Sequence, residues 1–206
     1  MEAVIERRAF AGAELRVEGG DDEPRLIRGH AAVFNQLSED LGGFREKIEP
    51  GAFAKSLKGD VRALFNHDPS WILGRTKSRT LRLAEDAQGL AVEIRPPDTG
   101  QARSVLEGID RGDVSQMSFS FRTITDEWNQ VDGETVRTLR EVELFDVSPV
   151  TFAAYPQTDV VIAQRSLEAW RAAESNAAGG GSDEENNRRQ RRLATLAARV
   201  RMAFVP

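Results

Sequence analysis

The chain has 206 residues, of which 40% are hydrophobic and 30% charged, with a formal net charge of -5 and no cysteine. This length allows one well-formed core with an appendage, and the negative charge argues against a whole-domain electrostatic grip on nucleic acid. The lack of cysteine excludes disulfides, thiolate metal sites and a cysteine nucleophile. No apolar signal segment or membrane-spanning stretch is visible, so we expect a cytoplasmic protein with no membrane partner.

The N-terminal part predicts a hairpin and a short helix. Short apolar runs in residues 1–18 and a longer run at 26–34 flank a turn rich in Gly, Asp and Pro at 19–24. This pattern is typical of a β-hairpin, and it places His30 inside the second strand. Residues 49–57 then predict a short helix after a Pro-Gly turn.

The next predicted strand covers residues 61–67 and carries the second of the two histidines. Asp68 and Pro69 follow it directly, and a proline of this kind is expected to stop the strand. His67 is therefore predicted at a strand end, where a catalytic group could be presented.

The middle of the chain predicts a second hairpin and an amphipathic helix. Residues 81–83 and 90–94 form the hairpin strands, joined by a polar connection. Thr99 is placed to cap a helix that ends at Gly112. Apolar residues recur in this helix at i, i+3, i+4 and i+7, namely Ala102, Val105, Leu106 and Ile109.

The stretch Val114–Phe121 alternates polar and apolar residues, which predicts a strand with two different faces. One face carries Ser118 and Ser120, and the other carries Met117 and the two phenylalanines. The two hydroxyls project to the same side about 7 Å apart. Alternation therefore does not choose between them as candidate nucleophiles.

A further hairpin is predicted around the Asp-Gly pair at 132–133. Its second strand runs from about residue 135 to 147, a short strand at 150–155 follows, and the domain is expected to close near Ile162.

The composition changes after this point. Residues 165–174 favour a helix, 176–181 predict a flexible Gly/Ala linker, and the rest predicts a basic amphipathic helix that begins with a capping box. We accordingly divide the chain into a main domain, 1–163, and a helical tail, 164–206.

Several familiar sites are missing from the sequence, including a Walker-type phosphate loop, a dinucleotide GxGxxG, an HExxH zinc motif and a GxSxG elbow. A metal site built from His30, His67 and carboxylates is disfavoured, because the histidines lie on different predicted strands without a ligand spacing. We predict no cofactor and no metal.

Acyl transfer by Ser-His-acid chemistry is the remaining catalytic option. A serine hydroxyl needs an imidazole to take its proton, and the imidazole needs a partner that fixes its tautomer. His67 and one strand serine could supply this with an acid from the predicted strand 135–147. Glu141 and Glu143 share one face of that strand and Asp146 takes the other. The simpler alternative is a β domain with a polar-faced strand, with His30 packed structurally.

Six segments in order resemble the prohead protease family of tailed bacteriophages, over about residues 28–156. The segments are Gly29-His30-Ala31-Ala32-Val33-Phe34, Ile48-Glu49-Pro50-Gly51-Ala52-Phe53, Leu64-Phe65-Asn66-His67-Asp68-Pro69, Gly89-Leu90, Met117-Ser118-Phe119-Ser120-Phe121, and Glu141-Val142-Glu143-Leu144-Phe145-Asp146-Val147-Ser148-Pro149-Val150-Thr151.

This family is similar in fold to the herpesvirus assemblin proteases, which implies a mainly β, α+β architecture with a closed antiparallel β-barrel flanked by helices. The resemblance implies His67 as the base and Ser118 as the nucleophile, with Ser120 standing where the motif usually has glycine. It implies Glu141 as the third triad member, with Asp146, where the family usually shows glutamate, as runner-up. His30 falls where the family often has tyrosine, which supports a structural role.

The function implied is that of a serine endopeptidase in capsid maturation. Such an enzyme acts inside the immature prohead in the host cytoplasm, cleaves the scaffold protein or the scaffolding segment of the major capsid protein, and processes itself; a homodimer is implied by the assemblin likeness. Residues 165–206 are then hypothesised to be a targeting appendage. The alternatives are a non-catalytic scaffold- or capsid-binding module with the same fold, and nucleic-acid binding by the arginine-rich tail, which nothing in the main domain supports.

Overall fold

A computed structural model describes residues 5–9, 15–20, 23–152 and 156–178. In these ranges the chain forms ten strands, two α-helices and a 3₁₀ turn at Ser56–Lys58. The elements are β1 (Glu6–Ala9), β2 (Leu15–Glu18), β3 (Leu26–Val33), β4 (Arg45–Ile48), β5 (Arg62–Phe65), β6 (Asp68–Arg75), β7 (Leu81–Glu85), β8 (Gly89–Ile94), α1 (Gly100–Asp110), β9 (Gln116–Val131), β10 (Glu134–Val150) and α2 (Pro156–Ala178).

The described strands form two sheets. The larger sheet has six strands in the order β1-β9-β10-β5-β6, with β4 also paired to β10. The smaller has four strands in the order β2-β3-β8-β7. The protein is therefore mainly β with a few helices, as the sequence predicts.

The closed antiparallel barrel expected from the resemblance is not found in the described part of the chain. A closed barrel gives every strand two neighbours, whereas β1 and β6 lie at the edges of the larger sheet, and β2 and β7 at the edges of the smaller one. The larger sheet is also mixed, because β10 pairs in parallel with both β4 and β5.

Local sequence signals predict several of these elements well. Helix α1 begins after Thr99, whose hydroxyl accepts the Ala102 N–H at 3.3 Å, and its buried residues are the four apolar positions predicted. The hairpins β2–β3, β7–β8 and β9–β10 are all present. The helix predicted at 49–57 is wrong, since turns at 50–55 lead into the 3₁₀ segment.

Strand β9 contributes to the core from one face, where Met117, Phe119 and Phe121 have no exposed surface. The rings of Phe119 and Phe121 stack at 5.0 Å between centroids, and Phe53 meets Phe119 edge-on at 5.5 Å. The serine face is buried as well, with Ser118 0% and Ser120 3% exposed. Buried hydroxyls need hydrogen-bond partners, so other polar groups must pack against this face.

The chain divides into two compact units, Met1–Gln164 and Arg165–Pro206. Helix α2 continues through Ala178, so the first residues of the predicted linker are helical. The remainder of that linker and the predicted basic helix lie outside the described residues. Of the described helices, none is both long and apolar enough to cross a membrane.

Candidate active site

His67 lies in a two-residue turn between β5 and β6. Phe65 pairs with Asp68, and the two turn residues, Asn66 and His67, have φ angles of 53° and 57°. Two successive residues in the left-handed region are typical of the tight hairpin turns that match strand twist, and asparagine is among the residues that adopt this region most readily. The predicted strand at 61–67 does stop before Asp68, since β5 ends at Phe65. A strand that was not predicted, β6, begins at Asp68, and it tolerates Pro69 because it lies at the edge of the sheet.

The turn is fastened to the end of β10. The Asn66 N–H donates to the Pro149 carbonyl at 3.0 Å, and its side-chain Oδ1 accepts the Thr151 N–H at 2.9 Å. The same strand carries Asp146 five residues before Thr151. The turn that carries His67 is therefore bonded to the C-terminal end of β10, the strand that carries Asp146.

Strands β9 and β10 place four polar side chains on one face. Ser118 lies opposite Ser148, and Ser120 lies opposite Asp146. Residues two apart on a strand point to the same side, so these two cross-strand pairs lie next to each other on one face of the sheet.

The His67 imidazole lies between Ser118 and Asp146. Its Nε2 lies 2.7 Å from Ser118 Oγ, and its Nδ1 lies 2.7 Å from Asp146 Oδ1. Both distances are those of normal hydrogen bonds. With the proton on Nδ1, the imidazole donates to the carboxylate and offers Nε2 to the serine hydroxyl, which is the arrangement that a serine nucleophile requires.

Asp146 is held as a carboxylate by its neighbours. Burial raises its pKa, but hydrogen bonds from His67, Ser120 and Ser148 and the charge interaction with His67 outweigh the burial and leave the pKa below its usual value. Ser148 Oγ donates to Oδ1 at 2.8 Å, and Ser120 Oγ donates to Oδ2. The acid is thus ionised and fixed on both oxygens.

The other predicted acids lie away from the imidazole. The Glu141 carboxylate accepts from Lys55 Nζ at 2.8 and 2.9 Å, and Glu143 pairs with Arg122. The predicted placement of Glu143 and Asp146 on opposite faces of β10 is wrong, because a register shift between Leu144 and Asp146 interrupts the alternation. Asp146 pairs with Ser120 and Glu143 with Arg122, two positions away on β9, so Glu143 lies farther along the strand. The structure therefore brings the runner-up acid, and not Glu141, to His67.

The remaining sequence candidates also have definite places. His30 lies on β3 in the smaller sheet, where its Nε2 is 2.8 Å from Asp86 Oδ2. Ser120 contacts Asp146 and not the imidazole. Within the described residues no group of three or more acidic or histidine side chains could hold a metal ion, and the two histidines belong to different sheets.

The Ser118 hydroxyl is covered in this structure. Ser118 has no exposed surface, and its Oγ lies 3.0 Å from the Arg8 carbonyl of β1 as well as beside His67. The side chains of His67 and Asp146 are 8% and 11% exposed. A peptide carbonyl can reach Oγ only after this cover moves.

The family model for the caudovirus prohead serine protease matches residues 12–172. This range contains the turn that carries His67 and both strands of the serine face. The chain belongs to the caudovirus prohead serine protease family.

The prohead protease chain is also similar to the solved structure of the bacteriophage T4 capsid assembly protease, at 12% sequence identity. The alignment covers 73% of this chain and 99% of that one, with a TM-score of 0.48. None of the curated proteins matches the chain.

Sequence reasoning missed two residues close to His67 and Asp146 in this prohead protease. Ser148 follows Asp146 by two positions, and this spacing alone places both on one strand face. Asn66 precedes the histidine, and asparagine is a residue that favours left-handed turns. Both signals were present in the sequence, but their meaning depends on which strands become neighbours.

It also missed a buried ionic network next to β9. Arg137 Nη1 lies 2.8 Å from Glu6 and 2.9 Å from Glu46, and Arg8 Nε lies 2.9 Å from Glu46. All four side chains are at most 5% exposed. The network joins β1, β4 and β10 in the prohead protease, and the Thr123 hydroxyl of β9 donates to Glu6 at 2.7 Å.

Proposed function

We propose that this prohead protease is a serine endopeptidase in which Ser118 is the nucleophile, His67 the general base and Asp146 the orienting acid. The observation that supports this assignment is the bridging position of His67, with hydrogen-bond distances of 2.7 Å to both partners. Three residues from the β5–β6 turn, β9 and β10 meet in one unbroken hydrogen-bonded chain, which is the geometry that identifies such a triad.

The chemistry follows from this chain of contacts. Ser118 Oγ attacks the peptide carbonyl carbon while its proton passes to His67 Nε2, and the carbonyl electron pair moves onto the oxygen. The imidazolium is stabilised by the ionised Asp146 and returns its proton to the leaving amine when the C–N bond breaks. A water molecule then attacks the acyl carbon while His67 takes its proton. His67 returns that proton to Ser118 Oγ as the ester bond breaks and the acyl group leaves as a carboxylic acid.

The proposed substrates are the scaffold protein, or the scaffolding segment of the major capsid protein, and the protease itself, inside the immature prohead. Family membership supports the setting. The covered Ser118 fits an enzyme that is held inactive until assembly, because cleavage before assembly would destroy the scaffold.

Co-expression with the phage's own capsid and scaffold proteins tests the assignment. Wild type should yield shortened chains, with the cut positions identified by mass spectrometry, and a peptide spanning a mapped junction then serves for kinetics. Ser118→Ala should abolish these products, whereas Ser104→Ala, an exposed serine on α1, should leave them unchanged. Processing that persists in Ser118→Ala would show that the site is wrong, and absence of processing in wild type would favour a non-catalytic assembly module.

A further inference from the structure

We propose that Ser120 is a positioning residue that acts through Asp146, and this rests on the proposed triad. Its hydroxyl donates to Asp146 Oδ2, the oxygen that does not face the imidazole. Among the described residues, the Ser120 hydroxyl has no hydrogen bond to His67 or Ser118. Any effect of Ser120 on the reaction would therefore act through the Asp146 carboxylate.

The two carboxylate oxygens differ in their described contacts. Oδ1 accepts from His67 Nδ1 at 2.7 Å and from Ser148 Oγ at 2.8 Å, whereas Oδ2 accepts from Ser120. Removing the Ser120 hydroxyl would take away the hydrogen-bond donor described for Oδ2 and leave a charged oxygen in a buried site. Asp146 is 8%, Ser120 3% and Ser148 0% exposed, so water is poorly placed to replace that donor.

The geometry of the strand pair makes this contact specific. Ser120 lies directly opposite Asp146 in the β9–β10 ladder, next to a register shift between Leu144 and Asp146. A cross-strand neighbour lies about 5 Å away at Cβ, close enough for two short side chains to meet. The hydroxyl therefore fixes rotation of the carboxylate about its Cβ–Cγ bond and keeps Oδ1 towards His67.

The loss expected from removing this donor can be put as a rate. The imidazolium forms only as Ser118 loses its proton, so a carboxylate turned away from His67 costs stabilisation of the transition state, and we expect a loss of about ten- to hundredfold in rate. We expect Ser120→Ala to lower kcat by that factor on the mapped-junction peptide and to leave KM within about twofold, because the hydroxyl does not touch substrate. Ser120→Thr, which keeps the hydroxyl, should recover most of the activity.

A double-mutant cycle with Asp146 distinguishes this role from a merely structural one. If Ser120 acts through the carboxylate, Ser120→Ala should cost nothing further in an Asp146→Asn background, because the charge that it orients is already gone. Single-turnover rates with excess enzyme give the low activities needed. Equal losses in both backgrounds would overturn the proposal, and so would a Ser120→Ala enzyme with wild-type kcat.

The proposed triad itself is tested separately by the same four proteins. If Asp146→Asn alone keeps wild-type kcat, the triad assignment fails whatever Ser120 does. Thermal unfolding of each variant accompanies the kinetics, and a Ser104→Ala control reports on removal of a hydroxyl far from the site. A Ser120→Ala variant that unfolds is replaced in the cycle by Ser120→Gly and Ser120→Thr, whose difference in kcat must likewise vanish in the Asp146→Asn background.

Discussion

Asn66 binds the backbone of Thr151 through its side chain, with Oδ1 accepting the Thr151 N–H at 2.9 Å, while its own N–H donates to Pro149. These two contacts join the turn that carries His67 to the strand that carries Asp146. Asn66, next to His67 in the chain, therefore helps to set the distance between His67 and Asp146. This relationship is open to a direct test.

Asn66→Ala should lower both stability and kcat. Alanine at a φ angle of 53° is strained by about 1–2 kcal/mol, and the variant also loses the Oδ1 contact. Asn66→Gly removes the contact without the strain, so its loss of unfolding free energy should be smaller. Asn35→Ala is the control, because Asn35 has a φ of 57°, is exposed and lies outside the site. Unchanged kcat in both Asn66 variants would contradict the role.

The two candidate acids make opposite predictions. Asp146→Asn should lower kcat by about 10⁴-fold, because an amide in place of the carboxylate favours the wrong imidazole tautomer. Glu141→Gln should leave kcat near wild type, because its carboxylate pairs with the exposed Lys55. Kinetics on the mapped-junction peptide measure both. The reverse order of effects would restore Glu141 to the triad.

The buried network predicts a large effect on stability. Arg137→Met should lower the free energy of unfolding by about 3–5 kcal/mol, because it leaves the two buried carboxylates of Glu6 and Glu46 to share the single cation of Arg8. Arg140→Met is the matched control, since Arg140 is 45% exposed and its ion pairs are worth about 0–1 kcal/mol. Urea unfolding monitored by circular dichroism measures both. If both variants lost the same free energy of unfolding, burial of the ion pairs would not be what determines the loss.

Acid should destabilise the protein through the same network. Burial raises the pKa of Glu6, but Arg137, Arg8 and Thr123 outweigh it and hold the pKa below its usual value. A lowered pKa stabilises the folded state above the unfolded value, about 4.3, and this stability is lost as the pH falls through the folded value. The free energy of unfolding should thus decline below about pH 4, and Glu6→Gln should flatten that decline. A decline of equal steepness in the variant would assign it to other groups, such as Asp146.

The tail carries a separate prediction. Deleting residues 179–206, which begins immediately after α2, should impair incorporation into proheads while sparing cleavage of the mapped-junction peptide. The physical reason is that the sequence of this segment predicts a basic amphipathic helix on a flexible linker, and such a helix needs a partner to bury its apolar stripe. Co-sedimentation with proheads measures incorporation. Equal incorporation of the shortened chain would sink the targeting role.

Local signals in the sequence determined much of this protein. The cap at Thr99, the apolar spacing of α1, the Asp-Gly turn and the alternation around Ser118 all act between residues close in the chain, so they can be read without a fold. The motif resemblance added the choice of Ser118 and His67. The structure does not show the helix that local signals predict at 49–57, nor the closed barrel and the contact of Glu141 with His67 that the resemblance implies.

Tertiary structure decided what depends on neighbours distant in sequence. Glu141 and Asp146 lie five residues apart on one strand, and pairing of β9 with β10 together with the β5–β6 turn determines which of them meets His67. The same pairing places Ser120 and Ser148 on the carboxylate, and the packing of β1 and β4 on the sheet buries four charged side chains. Such contacts depend on strand register, in which a shift of one residue turns a side chain to the other face.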